Sequence, residues 1–286
     1  MADHGHEIIT LNDVHFAYRT EAVLRDITLN VKAGEVIGII GPNGVGKSTL
    51  LKILAALYEP TRGNYRLCGK PIKEWKRKEI AKRIGFVPQG IELSFAFTVS
   101  EVVAMGRFPY LQGLNALDAQ GAEKVEQALQ LMDLKGLEHR LFPSLSGGEK
   151  QRVLIASVLA QDTNVFLLDE PTSALDLKHQ ITILKLFRHL SRSQQKAVVL
   201  VTHEVNLASQ FCDRLILLHK GKIVKDGPPD EVLQFNLIRE VYGVDVYIDI
   251  NPFTDSIYIL PFDLKNGADH RLGRNTTPND AASFSD

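Results

Sequence analysis

Cysteine is nearly missing from this sequence: Cys68 and Cys212 are the only two in 286 residues. That excludes a disulfide scaffold and a cysteine-based metal motif, and it predicts a reducing compartment. No apolar run approaches the roughly 18–20 residues that a membrane span needs; the longest, such as AVVLVTH, have strand length. The start, MADHGHEIIT, is acidic and polar, unlike a signal peptide. Excess charge is absent as well. A net charge of −1 gives no global attraction to nucleic acid or anionic lipid. There is no internal repeat and no N-K-x-D guanine-reading motif. What is present is ordinary: 44% hydrophobic and 23% charged residues, enough for a sizeable core. The expectation is a chain that stays in the cytoplasm.

Short alternating runs between Ile8 and Val31 predict paired strands. VIGII (36–40) reads as a buried strand entering a tight loop, and STLLKILAALY has helical spacing. KEWKRKEIAKR predicts a basic surface helix, for which a solvated face is the plainer reading than a nucleic-acid or membrane contact. IGFVPQ is another strand; helical spacing at 98–106 and 122–134 then predicts a helical subdomain over about 90–161. Strand signal returns at VFLLD, AVVLVTH and RLILLHKGKIV, with helical stretches between the first two, which predicts an α/β core. Two alternating runs around NPFTD predict a C-terminal hairpin at about 246–262. Residues 266–286 are too poor in large apolar side chains to pack and read as a disordered tail.

GPNGVGKST (41–49) fits the phosphate-loop pattern between a strand and a helix. Gly41, Gly44 and Gly46 let the backbone curl so that N–H groups face phosphate oxygens; Pro42, Asn43, Val45 and Thr49 complete the cradle. Lys47 would reach the β- and γ-phosphates and Ser48 would hold Mg²⁺. VFLLDE ends a buried strand with two carboxylates: Asp169 suits the Mg²⁺ shell, and Glu170 could orient or deprotonate the attacking water. Without a guanine reader, stacking on an aromatic ring is the simpler way to hold a base. Tyr18 is the candidate, though its spacing fits a core or edge tyrosine nearly as well. His203 ends the strand AVVLVTH, where a satisfied strand-end histidine is the plain reading.

The ordered set GPNGVGKST, Gln89 after FVP, LSGGEKQR, VFLLDEPTSALD and VLVTH resembles the ATP-binding cassette family of transport ATPases, over nearly the whole chain to about Leu260. The resemblance implies a fold: a P-loop NTPase α/β core with an N-terminal antiparallel β part and an inserted helical subdomain carrying the signature motif. It implies one ATPase domain over 1–265. Gln89 resembles the loop glutamine that senses Mg²⁺ near the membrane partner, His203 the switch histidine contacting the γ-phosphate, and Tyr18 the adenine-stacking ring.

It also accounts for LSGGEKQR, a second glycine-bearing turn with no evident task in its own chain. In this family two cassettes pack head to tail, and each signature turn covers the ATP held by the other. Ser146, Gly147 and Gly148 then make an anion-binding turn aimed at the partner's γ-phosphate, and Asp176 in SALD also crosses the interface. ATP favours the closed pair, and hydrolysis removes the contacts that hold it. The implied partners are a second copy of the chain, two polytopic permease subunits, and indirectly a periplasmic or extracellular binding protein; nucleic acid is not among them. The implied location is the cytoplasmic face of the inner membrane, as a peripheral subunit.

FTVSEVVAMGRFPYL (97–111) resembles the T-V-x-x-x-V-x-x-G-R-x-P segment of cassettes for ferric siderophores, haem and cobalamin, with matches at Thr98, Val99, Val103, Gly106, Arg107 and Pro109. The alternatives are an efflux cassette, or a soluble ATPase of the same superfamily acting on DNA or ribosomes. The latter usually carries long insertions or zinc cysteines between the two glycine motifs, or two cassettes in tandem. Residues 50–144 hold Cys68 alone.

Overall fold

The computed structural model describes residues 6–90, 96–111 and 117–262; the tail expected at 266–286 lies outside them. Two long strands, β1 (Glu7–Tyr18) and β2 (Glu21–Lys32), form an antiparallel hairpin. Register shifts along β1 keep Ile9, Leu11, Val14 and Phe16 on the buried face. After β3 (Val36–Ile40) and α1 (Lys47–Leu54), β4 (Arg62–Leu67) and β5 (Lys70–Pro71) complete a four-stranded sheet in the order β2-β1-β4-β5.

The basic stretch that follows is less helical than its composition predicts. Only α2 (Arg77–Ala81) is α-helix, started where Glu79 accepts a 3.0 Å bond from the Lys76 N–H. Trp75 is extended, and Lys70 and Arg83 lie against its ring, at 5.4 and 4.3 Å from the centroid. These cations are partly spent on an aromatic face of their own chain.

The chain continues through β6 (Ile84–Val87), α3 (Val99–Met105), α4 (Ala119–Leu131), α5 (Gly147–Gln161), β7 (Val165–Asp169), α6 (Leu177–Gln194), β8 (Ala197–Val201), α7 (Val205–Phe211), β9 (Arg214–His219) and β10 (Lys222–Gly227). Two short helices, α8 (Pro229–Val232) and α9 (Phe235–Tyr242), lead to the hairpin β11 (Asp245–Ile250) and β12 (Ile257–Phe262).

The six-stranded sheet has the order β10-β9-β3-β8-β7-β6, parallel except for β10 at the edge. Both of its faces are covered, which is why β3, β7 and β8 are unbroken apolar runs. Ile37, Ile39, Leu167 and Val199 pack toward α1 and the N-terminal sheet, while Ile40, Leu168 and Leu200 pack toward the helical layer. This is the α/β architecture that the alternation of motifs implies.

α3, α4 and α5 pack together between β6 and β7 in the sequence. Thr98, Asp118 and Ser146 cap them, each accepting a backbone N–H with its side chain. α3 ends against the backbone of α5: a Cβ on Gly106 would lie 1.9 Å from the Ser157 carbonyl oxygen. Gly106→Ala should therefore force the two helices apart and cost about 1–3 kcal/mol. A fall in the denaturant midpoint checks this, and an unchanged midpoint would contradict the close approach.

Candidate functional site

Four neighbouring strands deliver the motif residues to one edge of the sheet. Ile39 of β3, Val201 of β8 and Asp169 of β7 lie level in the register, and Val87 of β6 is level with Leu168. Past those ends come Gly41, His203, Glu170 and Gln89. Parallel strands expose their carboxyl ends together, and an α/β sheet builds its sites there.

The phosphate loop needs its glycines. Gly41 has φ 147°, and a Cβ there would meet the Leu218 carbonyl oxygen at 2.2 Å. Gly46 caps α1 in the left-handed region at φ 102°, and the first turn of α1 has no acidic side chain to answer its free N–H groups. Lys47 is folded back onto the loop, where its ammonium donates to the Gly41 and Pro42 carbonyls at 2.8 and 2.7 Å. Burial lowers its pKa, against the pull of Glu170 and Asp169. A cation held at a desolvation cost, on bonds that phosphate oxygens could replace, is suited to an anionic ligand.

Ser48 donates to the Asp169 carboxylate at 2.9 Å, joining the first turn of α1 to the tip of β7. Burial pushes the Asp169 carboxyl up, and the Glu170 charge adds to this while the Ser48 bond opposes it. The pair offers hard oxygen donors at hydrogen-bond distance and a carboxylate whose charge lacks a full counterion, which fits Mg²⁺.

Glu170 sits in the left-handed region at φ 49°, with its N–H on the Val201 carbonyl at 3.0 Å. That turn sends its side chain away from Asp169 and toward two others. Gln89 Nε2 donates to one carboxylate oxygen at 2.8 Å, and His203 Nε2 lies 2.7 Å from the other. Tyr18 is 43% exposed, packs edge-on against Phe16 and Tyr58, and places its hydroxyl 3.4 Å from that of Thr49. The ring is therefore neither a core residue nor remote from the loop.

A cleft of about 660 Å³ joins these groups. Tyr18, Asn43, Gly44, Gly46, Lys47, Ser48, Thr49, Gln89, Glu170 and His203 line it. Gly41, Pro42 and Val45 do not line it, and buried Asp169 reaches the site through Ser48. Glu21 and Val23 also line the cleft, and the sequence reading missed them. No motif marks them; the hairpin register sets Glu21 directly across from Tyr18.

Ser146, Gly147, Gly148 and Asp176 are not brought to this cleft. They form a second cluster: Gly148 approaches the Ala174 carbonyl, and Asp176 caps α6 by accepting the His179 N–H at 2.8 Å. Ser146 Oγ accepts the Glu149 N–H, and the Ser146 hydroxyl and backbone N–H both bond to the Glu149 carboxylate, contacts that an incoming phosphate oxygen could replace.

Residues 24–173 match the family model described as ABC transporter. The chain is 40% identical over 241 residues to the petrobactin import ATP-binding protein FpuC of Bacillus anthracis, covering 84% of this chain and 89% of that one. It is 42% identical over 259 residues to the hemin import ATP-binding protein HmuV of Vibrio parahaemolyticus, covering 88% and 96%. Among solved structures, a metal-chelate type ABC transporter in an inward-facing conformation superimposes with a TM-score of 0.77 at 29% identity, covering 90% of this chain and 98% of that one.

The raised carboxyl of Asp169 gives a signed expectation. Its favourable contribution is complete below the ordinary carboxylate pKa and is lost as pH rises through its folded value, so at pH 7 the ionised group is held at a cost. Asp169→Asn should leave the nucleotide-free chain at least as heat-stable as the parent at pH 7, and lower Mg²⁺-dependent ATP turnover by about 100-fold or more. Melting curves and phosphate release check the two halves; a destabilised variant with normal turnover would contradict both.

Proposed function

This chain belongs to the ABC transporter family, and we propose that it is the ATP-hydrolysing subunit of a metal-chelate importer, working as a head-to-tail pair beside separate membrane subunits. The chain is an ATP hydrolase, and among its described residues no helix is long and apolar enough to cross a membrane. The observation that carries the paired reading is the separation of the signature turn from the cleft of its own chain. A serine hydroxyl and glycine amides at the N-terminus of a 15-residue helix form an anion-binding turn, which in the monomer holds the Glu149 carboxylate of its own capping box and not a group of the cleft.

In this reading ATP enters the cleft with its base on Tyr18 and its phosphates on the loop 41–49. Lys47 exchanges the Gly41 and Pro42 carbonyls for phosphate oxygens. Ser48, Asp169 and Gln89 would hold Mg²⁺, which supplies charge neutralisation between the β- and γ-phosphates when bound. Glu170 then orients the attacking water and receives its proton, and His203 turns from Glu170 toward the γ-phosphate. Ser146, Gly147, Gly148 and Asp176 of a second copy close the site. Release of phosphate removes the contacts that join the copies, and the opening is passed to two polytopic membrane subunits through the Gln89 loop and the helical layer. The chain would thus lie peripherally on the cytoplasmic face of the membrane, with a substrate-binding protein acting from the far side. Residues 1–265 act as a single ATPase domain.

A ferric siderophore or haem is the cargo class favoured by the importers the chain resembles, whose names do not include cobalamin. Export, or action on DNA or ribosomes, has no comparable support. Replacing the native chain in cells with Glu170→Gln tests the reading. Loss of ferric-siderophore or haem uptake supports import, whereas increased retention of a compound by those cells would favour export.

In purified protein, Glu170→Gln should keep ATP affinity within about twofold while turnover drops by about 10²–10⁴; near-normal turnover would remove Glu170 from its role. Ser146→Arg should abolish ATP-driven pairing while the monomer still binds ATP. Sedimentation with ATP decides that, and pairing that survives the substitution would contradict the cross-chain reading.

A further inference from the structure

The GR-x-P part of the segment 97–111 does not reach the cleft, yet it contains a buried cation. Arg107 is 5% exposed, and among the described residues no carboxylate forms an ion pair with it. Its Nη1 donates to the Ala160 carbonyl at 2.9 Å, and its guanidinium lies over the Tyr110 ring, 3.9 Å from the centroid. Its Nε is buried without a partner, facing Gly121 of α4. A guanidinium buried without a counterion is costly. The negative end of α5 and the face of Tyr110 are what offset that cost here.

Other contacts gather at the same helix end. Lys124 of α4 and Lys196 before β8 pair with Asp162, the residue that caps α5, at 3.0 and 3.2 Å. Gln161 donates to the Ile84 carbonyl at 3.2 Å and also to that of Ala81. The C-terminal end of α5 is therefore fixed to the core, while its N-terminal end carries the signature turn. At about 1.5 Å per residue the two ends are roughly 22 Å apart.

The turn after Arg107 is held from the core side too. Lys78 of α2 donates to the Leu111 carbonyl at 2.5 Å, and Lys82 lies 5.1 Å from the centre of the Tyr110 ring. Residues 107–111 are thus gripped by α5 on one side and α2 on the other, with Tyr110 between the two cations. A rotation of about 10° at this junction would carry the tip of α5 through roughly 4 Å, more than a hydrogen bond tolerates.

We propose that Arg107 is a positioning residue for the ATPase reaction: a buried pin that sets the angle of the signature helix against the core, so that Ser146 meets a partner's γ-phosphate at a fixed place. The proposal rests on the cross-chain reading of the signature turn. It also gives the GR-x-P residues a shared task. Gly106 allows the close approach to α5, Arg107 makes the pin, and Pro109 starts the short turn that carries Tyr110.

The test places spin labels on the native exposed thiol of Cys68 and at position 150 through Lys150→Cys, in the Glu170→Gln chain; Cys212 is buried. Arg107→Met should shift or broaden the distance between the labels by several ångströms. Monomer ATP affinity should stay within about twofold, while the ATP-driven pair weakens about tenfold, or 1.4 kcal/mol. Arg107→Lys, which keeps the charge without the plane, should restore part of the loss. A distance distribution matching the parent, well below the melting midpoint, overturns the proposal; so does a changed distance with undiminished pairing. If the parent chain does not pair with ATP, that failure belongs to the cross-chain reading, and the distance distribution alone decides Arg107. Should Arg107→Met fail to fold, Lys78→Ala releases the same turn from the exposed side and is judged by the same two criteria.

Discussion

Four parallel strands in one register, β3, β8, β7 and β6, end along the same edge of a sheet, and the rest of the site depends on that edge. Hydrogen bonding between neighbours leaves the strands no freedom to slide independently, because a one-residue slip would turn their buried side chains to the wrong face. The motifs are far apart in sequence and adjacent in space for this reason alone. Helices and the N-terminal sheet cover both faces, so the carboxyl edge is where charged groups can be gathered without burying them completely.

The polar groups of the site are bonded to one another. Lys47 is bound to its own loop, Ser48 to Asp169, and Glu170 to both Gln89 and His203. Each of these bonds satisfies a group that would otherwise be poorly partnered, and each can be exchanged for a contact to phosphate, metal or water. Ligand binding then replaces polar contacts one for one rather than desolvating bare charges, which keeps the polar cost of entry small. The exchange is incomplete within one chain, since the signature turn stands elsewhere. That incompleteness is what the proposed second copy would make good.

Much of this was legible in the sequence because the motifs are backbone-driven. Glycines at 41, 44 and 46 declare a phosphate loop by what they permit, and VFLLD and AVVLV declare buried strands by lacking any polar face. Less local features were not legible. The left-handed turn at Glu170, which aims its carboxylate at Gln89 and His203, follows from packing rather than from any residue preference. The basic stretch around Trp75 read as one helix because charge spacing says nothing about a ring that draws cations onto itself. Glu21 and Val23 were hidden because pairing across a hairpin, not motif membership, brings them to the cleft. The role of Arg107 was equally hidden, since a cation's burial is invisible in a string of letters.

The central claim is that one chain holds half of each catalytic site. The most direct measurement is a structure of Glu170→Gln with ATP and Mg²⁺. The account predicts two chains, with each γ-phosphate at roughly 3 Å from Lys47 of one chain and from the Ser146 hydroxyl of the other. A nucleotide enclosed by a single chain, with Ser146 distant from every phosphate, would contradict it.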